Sequence, residues 1–144
     1  MRPIDDVSGD VLDLSLRIHR ELGPGLLESV YETVLAGKLA ERGYKVARQV
    51  PVDKVFEGTI FSAAFKVDLL VDQRLIVEIK SIERLSAVHG KQLLTYLRLS
   101  NQPVGLLFNF GAATLKEGVK RIVNGHTPSA SPRLRVNQIE QGPT

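Results

Sequence analysis

Three charged residues stand inside the most apolar stretches of this chain. Lys66-Val67-Asp68-Leu69-Leu70-Val71 carries Asp68, and Leu75-Ile76-Val77-Glu78-Ile79-Lys80 carries Glu78 and Lys80. Runs of this length and branching read as buried strands. Side chains alternate along a strand, so Glu78 and Lys80 share a face with Ile76. A three-residue link at 72–74 pairs Val71 with Leu75 and sets Asp68 opposite Glu78, with β-carbons about 4.5–5.5 Å apart. Two carboxylates so placed repel, and an unpaired buried charge costs several kcal/mol as an order of magnitude. A divalent cation between them offsets both penalties, and Lys80 neutralises part of what is left. Mg2+ suits the arrangement, because it takes one or two carboxylates, keeps several waters and accepts a substrate phosphate as a further ligand; the backbone carbonyl of Ile79 offers one more oxygen. Such an ion acidifies a water and stabilises charge on phosphate oxygens. Lys80 would orient that water or stabilise developing negative charge. Alone, a Glu-x-Lys tripeptide is most often an exposed ion pair of little consequence. Its position in an apolar strand, after an Asp in another, makes it a candidate site.

Two helical stretches could complete it. His89, Gln92 and Tyr96 recur at spacings of three and four and so share one helix face. Beside the strands, that polar stripe could bind a phosphate or a base edge; its ordinary reading is a solvated face. Glu28, Tyr31 and Leu35 share a face of an earlier helix. A carboxylate in the first turn favours the helix dipole, which suffices to explain Glu28. The functional alternative makes it a third carboxylate near the metal or its water.

The elements that must position these residues follow from periodicity. Val11, Leu14, Ile18 and Leu22 make one face of a helix over 10–22, stopped by Gly23-Pro24-Gly25. A second helix is expected over 26–42, with Leu27, Val30, Val34 and Leu35 on or near its buried side and Gly43 as its cap. The period then changes to two. A strand over 44–55 contains Pro51, which assigns it to an edge or a bulge. Glu57-Gly58 marks a turn, a second strand covers 59–71, and LIVEIK is the third, which together suggest an antiparallel meander. Ser86 is placed to cap a helix over 87–100, ended by Asn101. The apolar run 103–110 reads as a fourth strand, parallel to the third after its helical crossover. Residues 114–124 form a short element of unassigned type. One domain over 1–124 is expected, with 125–144 as a flexible tail having little to bury.

Composition narrows the chemistry. The chain has 144 residues, 43% of them apolar, and no cysteine. Disulfides, thiolate zinc sites and cysteine-ligated iron–sulfur clusters are thereby excluded, so a metal must be held by oxygen or histidine. No apolar run approaches a membrane span, and the acidic N-terminus lacks the apolar core of a signal peptide, which places the expected location in the cytoplasm. Residues 1–83 carry 11 Lys or Arg against 14 Asp or Glu, whereas 84–144 carry 8 against 2. A basic half facing the half that holds the carboxylates would steer a polyanion toward the site; an uneven, solvated surface accounts for the charges equally well.

Taken together, Asp68 followed by Glu78-Ile79-Lys80 resembles the signature of the PD-(D/E)XK nuclease superfamily. Gln92-Leu93-Leu94-Thr95-Tyr96 is similar to the QxxxY motif of its RecB-like members. Gly25-Leu26-Leu27-Glu28-Ser29-Val30-Tyr31, with Leu35, resembles the name-giving motif of the GxxExxY protein family. The resemblance spans roughly residues 10–124. It implies an α/β, restriction-endonuclease-like αβββαβ core with a mixed central sheet flanked by helices. It further implies Asp68 and Glu78 as metal ligands, Lys80 as the catalytic lysine and Glu28 as a helix-borne acid. His89, Gln92, Tyr96 and Tyr31 become candidate substrate contacts. Val67 stands where the signature has proline, and no cysteines are present for an iron–sulfur cluster. The expected function is a Mg2+-dependent (or Mn2+-substituted) nuclease acting on nucleic acid, DNA first. The competing expectations are an inactive module of the same fold that binds nucleic acid or a protein partner, and a buried structural network of the same charges. A homodimer is compatible with a small nuclease, although the sequence holds no decisive interface signal.

Overall fold

A computed structural model describes residues 2–125; the tail expected over 125–144 lies, apart from Gly125, outside the described residues. The chain runs α1 (Ile4–Leu22), α2 (Glu28–Glu41), β1 (Val46–Phe56), β2 (Thr59–Val71), β3 (Leu75–Lys80), α3 (Ala87–Ser100), β4 (Val104–Asn109), a 3-10 turn (Leu115–Gly118) and β5 (Val119–Val123). One mixed sheet in the order β1-β2-β3-β4-β5 separates α1 and α2 from α3, which is consistent with a restriction-endonuclease-like fold. Among the described residues only β3 and β4 pair in parallel, with Leu75 opposite Val104 and Lys80 opposite Asn109. The α3 crossover imposes that direction.

The two sheet faces carry separate cores. Val7, Val11, Leu14 and Ile18 of α1 and Tyr31, Leu35 and Leu39 of α2 pack on Leu69, Val77, Ile79 and Phe108. On the other face Leu93, Leu94 and Leu97 of α3 cover Val67, Ile76 and Leu107. β3 is therefore buried on both sides, as its unbroken apolar run requires.

Three boundaries differ from the sequence reading for identifiable reasons. α1 starts at Ile4, because Val7 extends the face of Val11 and Leu14 by a turn, and Asp5 and Asp6 favour the helix N-terminus. The buried side of α2 is Tyr31, Glu32, Leu35, Ala36 and Leu39, whereas Leu27 is 75% exposed. The stripe is turned relative to the one built on Leu27 and Val30, since the largest side chain, Tyr31, takes the core position and stacks on Phe110 at 4.3 Å. The unassigned 114–124 resolves into the 3-10 turn and β5, which pairs antiparallel with β4.

β1 is an edge strand, which is where Pro51 is tolerated. It forms with β2 a ribbon longer than the rest of the sheet, because the β2–β3 ladder ends at Leu69 opposite Val77. The ribbon turns at Glu57-Gly58, both at positive φ as a two-residue hairpin turn of this hand demands. Near the tip Val55, Phe56, Ile60 and Phe61 are exposed.

Candidate functional site

The site forms where the β2–β3 ladder stops. Val71 pairs with Leu75 and Leu69 with Val77, the register that the short link dictated. One step further, Asp68 does not continue the ladder. Its Oδ2 instead accepts a hydrogen bond from the Ile79 amide N–H at 2.8 Å, so the side chain substitutes for a strand partner. The diverging strands leave a gap that holds the carboxylate against β3 (Leu75–Lys80).

Glu78 lies beside it, 8% exposed, with Oε1 buried and without a hydrogen-bond partner among the described residues. Burial first, and the Asp68 charge second, push its carboxyl up from 4.5 to about 9, while Lys80 pulls weakly the other way. A carboxyl group in that state holds its proton at neutral pH unless a positive charge arrives. Lys80 is half-buried at the end of β3, opposite Asn109. Asn109 is itself buried, and its Oδ1 accepts from the N–H groups of Ile82 and Gly111 at 3.0 Å each, which fixes the chain just past Lys80.

Glu28 sits exposed at the start of α2, over the same end of β3. Its Oε2 accepts from Ser81 N–H at 3.3 Å, and the Ser81 hydroxyl donates to the Leu26 carbonyl. Glu28 and Asp68 both line a cleft of about 830 Å³, together with Leu27, Glu32, Arg48, Gln49 and Ser81. Tyr96 of α3 is half-buried and stacks on Phe65 at 4.0 Å. Its hydroxyl is pushed up by burial first and then by the charges of Glu78 and Asp68.

Other residues expected at the site have different surroundings. Tyr31, expected as a substrate contact, is fully buried; its hydroxyl donates to Gly23 O at 2.6 Å and accepts from Leu26 N–H at 3.0 Å. Both functions of the hydroxyl are engaged in holding the Gly23-Pro24-Gly25 loop to α2. His89 closes the N-terminus of α3, where its Nδ1 accepts from Ser86 N–H at 2.9 Å. Gln92 is exposed on α3, between His89 at the helix start and the half-buried Tyr96. Conversely, Glu32, Arg48 and Gln49 belong to the cleft and carry no motif that would have marked them. The one available signal was an acid, Glu32, on the turn of α2 adjoining Glu28.

A family model described as the PD-(D/E)XK nuclease superfamily matches residues 5–122. The chain belongs to that superfamily. Among curated proteins none matches it. A solved structure, "Crystal structure of SSO0001", is similar with 18% identity over 90% of this chain and 73% of the other, at a TM-score of 0.43.

PD-(D/E)XK nucleases generally use divalent metals, and the residues present fit such an ion. Glu78 Oε1 is an orphaned buried acceptor beside a second carboxylate, which a cation would satisfy. Among the described residues no three His, Cys, Asp or Glu cluster closely enough to hold an ion by themselves. Asp68 and Glu78 could thus offer two carboxylates to such an ion, with the remaining oxygens coming from backbone, water or substrate.

Proposed function

We propose that this protein is a Mg2+-dependent nuclease that hydrolyses phosphodiester bonds in nucleic acid, with DNA as the first substrate. The observation that carries the reading is the pairing of Asp68 with a buried Glu78 whose Oε1 has no partner among the described residues, beside Lys80. The GxxExxY and RecB-like placement rests on Gly25, Glu28 and Tyr31 and on Gln92 and Tyr96.

When bound, Mg2+ or Mn2+ lowers the pKa of a coordinated water and neutralises charge on the scissile phosphate. Asp68 and Glu78 would hold it, and the Ile79 N–H keeps Asp68 turned toward β3. The Ile79 carbonyl is proposed as a third protein oxygen. The Lys80 ammonium supplies positive charge beside the five-coordinate phosphorus as negative charge builds on its oxygens. Glu28, held by Ser81, stands over the cleft to orient the attacking water. Tyr96, Gln92 and the outward side of His89 serve the nucleic acid on the α3 side. The excess of Lys and Arg over residues 84–144 draws a polyanion toward this half of the molecule.

Full-length protein is incubated with single-stranded, double-stranded and branched DNA and with RNA, in Mg2+ or EDTA. Cleavage that needs Mg2+ and is lost in Asp68→Ala and Lys80→Ala, both still folded, supports the reading. Equal cleavage by wild type and variants assigns the activity to a contaminant. Salt-sensitive binding without turnover, indifferent to Mg2+ and to Asp68→Ala, replaces the enzyme with a binding module.

A further inference from the structure

Gln49 in β1 meets two carboxylates at once. Its amide nitrogen donates to Glu32 Oε1 at 2.7 Å and to Asp68 Oδ1 at 3.2 Å. Both acceptors are carboxylate oxygens, so only the NH2 end of the amide can face them. Glu32 is itself fixed: it is buried, its other oxygen accepts from Arg48 Nε at 3.0 Å, and Arg48 is anchored on Thr33 Oγ1 at 2.9 Å. An unbroken line of hydrogen bonds runs from Thr33 on α2 through Arg48, Glu32 and Gln49 to Asp68, and ends on the Ile79 amide.

The backbone at Gln49 has φ +50°, a left-handed conformation that a straight-chain residue adopts when its surroundings impose it. Glycine or asparagine would occupy this φ at lower cost, but neither carries an amide that reaches as far. A strained backbone that serves to place one amide between two acids points to a task for that amide.

Building on the nuclease reading above, we infer that Gln49 is a positioning residue that sets the rotation of the Asp68 carboxylate for metal binding. The terminal torsion of an aspartate is soft, and one hydrogen bond, from Ile79, anchors one oxygen without fixing the carboxylate plane. The Gln49 amide anchors the other. Asp68 then directs its remaining lone pairs one way before an ion arrives, as outer partners of metal-binding carboxylates do.

Two variants separate this task from backbone strain. Gln49→Asn suits the left-handed conformation and shortens the amide by one methylene. Gln49→Gly relieves the conformation and removes the amide. Mn2+ is titrated into the full chain, free ion is read by electron paramagnetic resonance, and melting temperature is measured in parallel, with Asp68→Ala as reference. The expected result is that both variants stay folded, with a cooperative melt, while Mn2+ affinity weakens about tenfold, the scale of one lost hydrogen bond to a charged group. Unchanged Mn2+ affinity in both, while Asp68→Ala loses binding, overturns the inference and leaves the nuclease reading standing. Loss of fold in both also overturns it, because Gln49 is then a structural residue. A wild-type chain that binds no Mn2+ overturns the two together.

Discussion

Glu78 concentrates the residue-scale physics. Its folded carboxyl is raised to about 9 from 4.5, chiefly by burial. Between those values the folded chain keeps a proton that the unfolded chain has released. Folding stability therefore falls as pH rises through that window, the reverse of the usual salt-bridged acid. Metal-free wild type should melt at progressively lower temperature from pH 5 to pH 9, and Glu78→Gln should flatten the slope; thermal melts in EDTA read both. A cation must displace the same proton, so Mg2+ should raise the melting temperature more at pH 8 than at pH 6. Equal stabilisation at both would mean that the ion does not engage Glu78.

At the scale of elements, two aromatic stacks tie the flanking layers to the site. Tyr31 on Phe110 holds α2 and the loop before it against β4, which keeps Glu28 over the end of β3. Tyr31→Phe retains the ring and removes both hydroxyl bonds, with an expected loss of about 1–3 kcal/mol by denaturant unfolding. Phe65 on Tyr96 joins the β1–β2 ribbon to α3. Phe65→Ala should cost about 1 kcal/mol beyond the lost burial. Val55→Thr at the exposed tip should change stability by no more than about 0.5 kcal/mol. A tip substitution as damaging as Phe65→Ala would show that the tip is covered in solution. The turning of the α2 stripe belongs to this scale too. Leu27 and Val30 have the right spacing for a buried face, but spacing does not rank side chains by the space available, and the space beneath Phe110 was filled by Tyr31.

For the whole molecule, the decisive feature is a close approach between segments far apart in sequence. A β-carbon on Gly111 would lie 2.3 Å from Ile82 O and 2.6 Å from Ile82 N, because the chain leaving Lys80 crosses directly over the end of β4. Gly111→Ala should destabilise the protein by about 1–3 kcal/mol or more, and should disturb Mn2+ binding as well by shifting the loop that anchors Lys80. Much of the architecture was legible beforehand. The link at 72–74 and the period of two fixed the Val71–Leu75 register, the doubly apolar LIVEIK announced a strand covered on both faces, and the length of the crossover set β4 parallel to β3. The candidate site was legible in its acids and its lysine, since charges inside apolar strands are conspicuous on the page. Glu32, Arg48, Gln49 and Asn109 were not, because an ordinary polar residue gains its meaning only from a partner tens of residues away. Local sequence thus determined the strands, their pairing and the existence of two like charges needing an explanation, all of which follow from periodicity and short links. Only the tertiary structure decided where the ladder ends, which way Asp68 turns, and which neighbours hold it. Those depend on how strands diverge and helices seat, and that is settled by three-dimensional packing between distant segments.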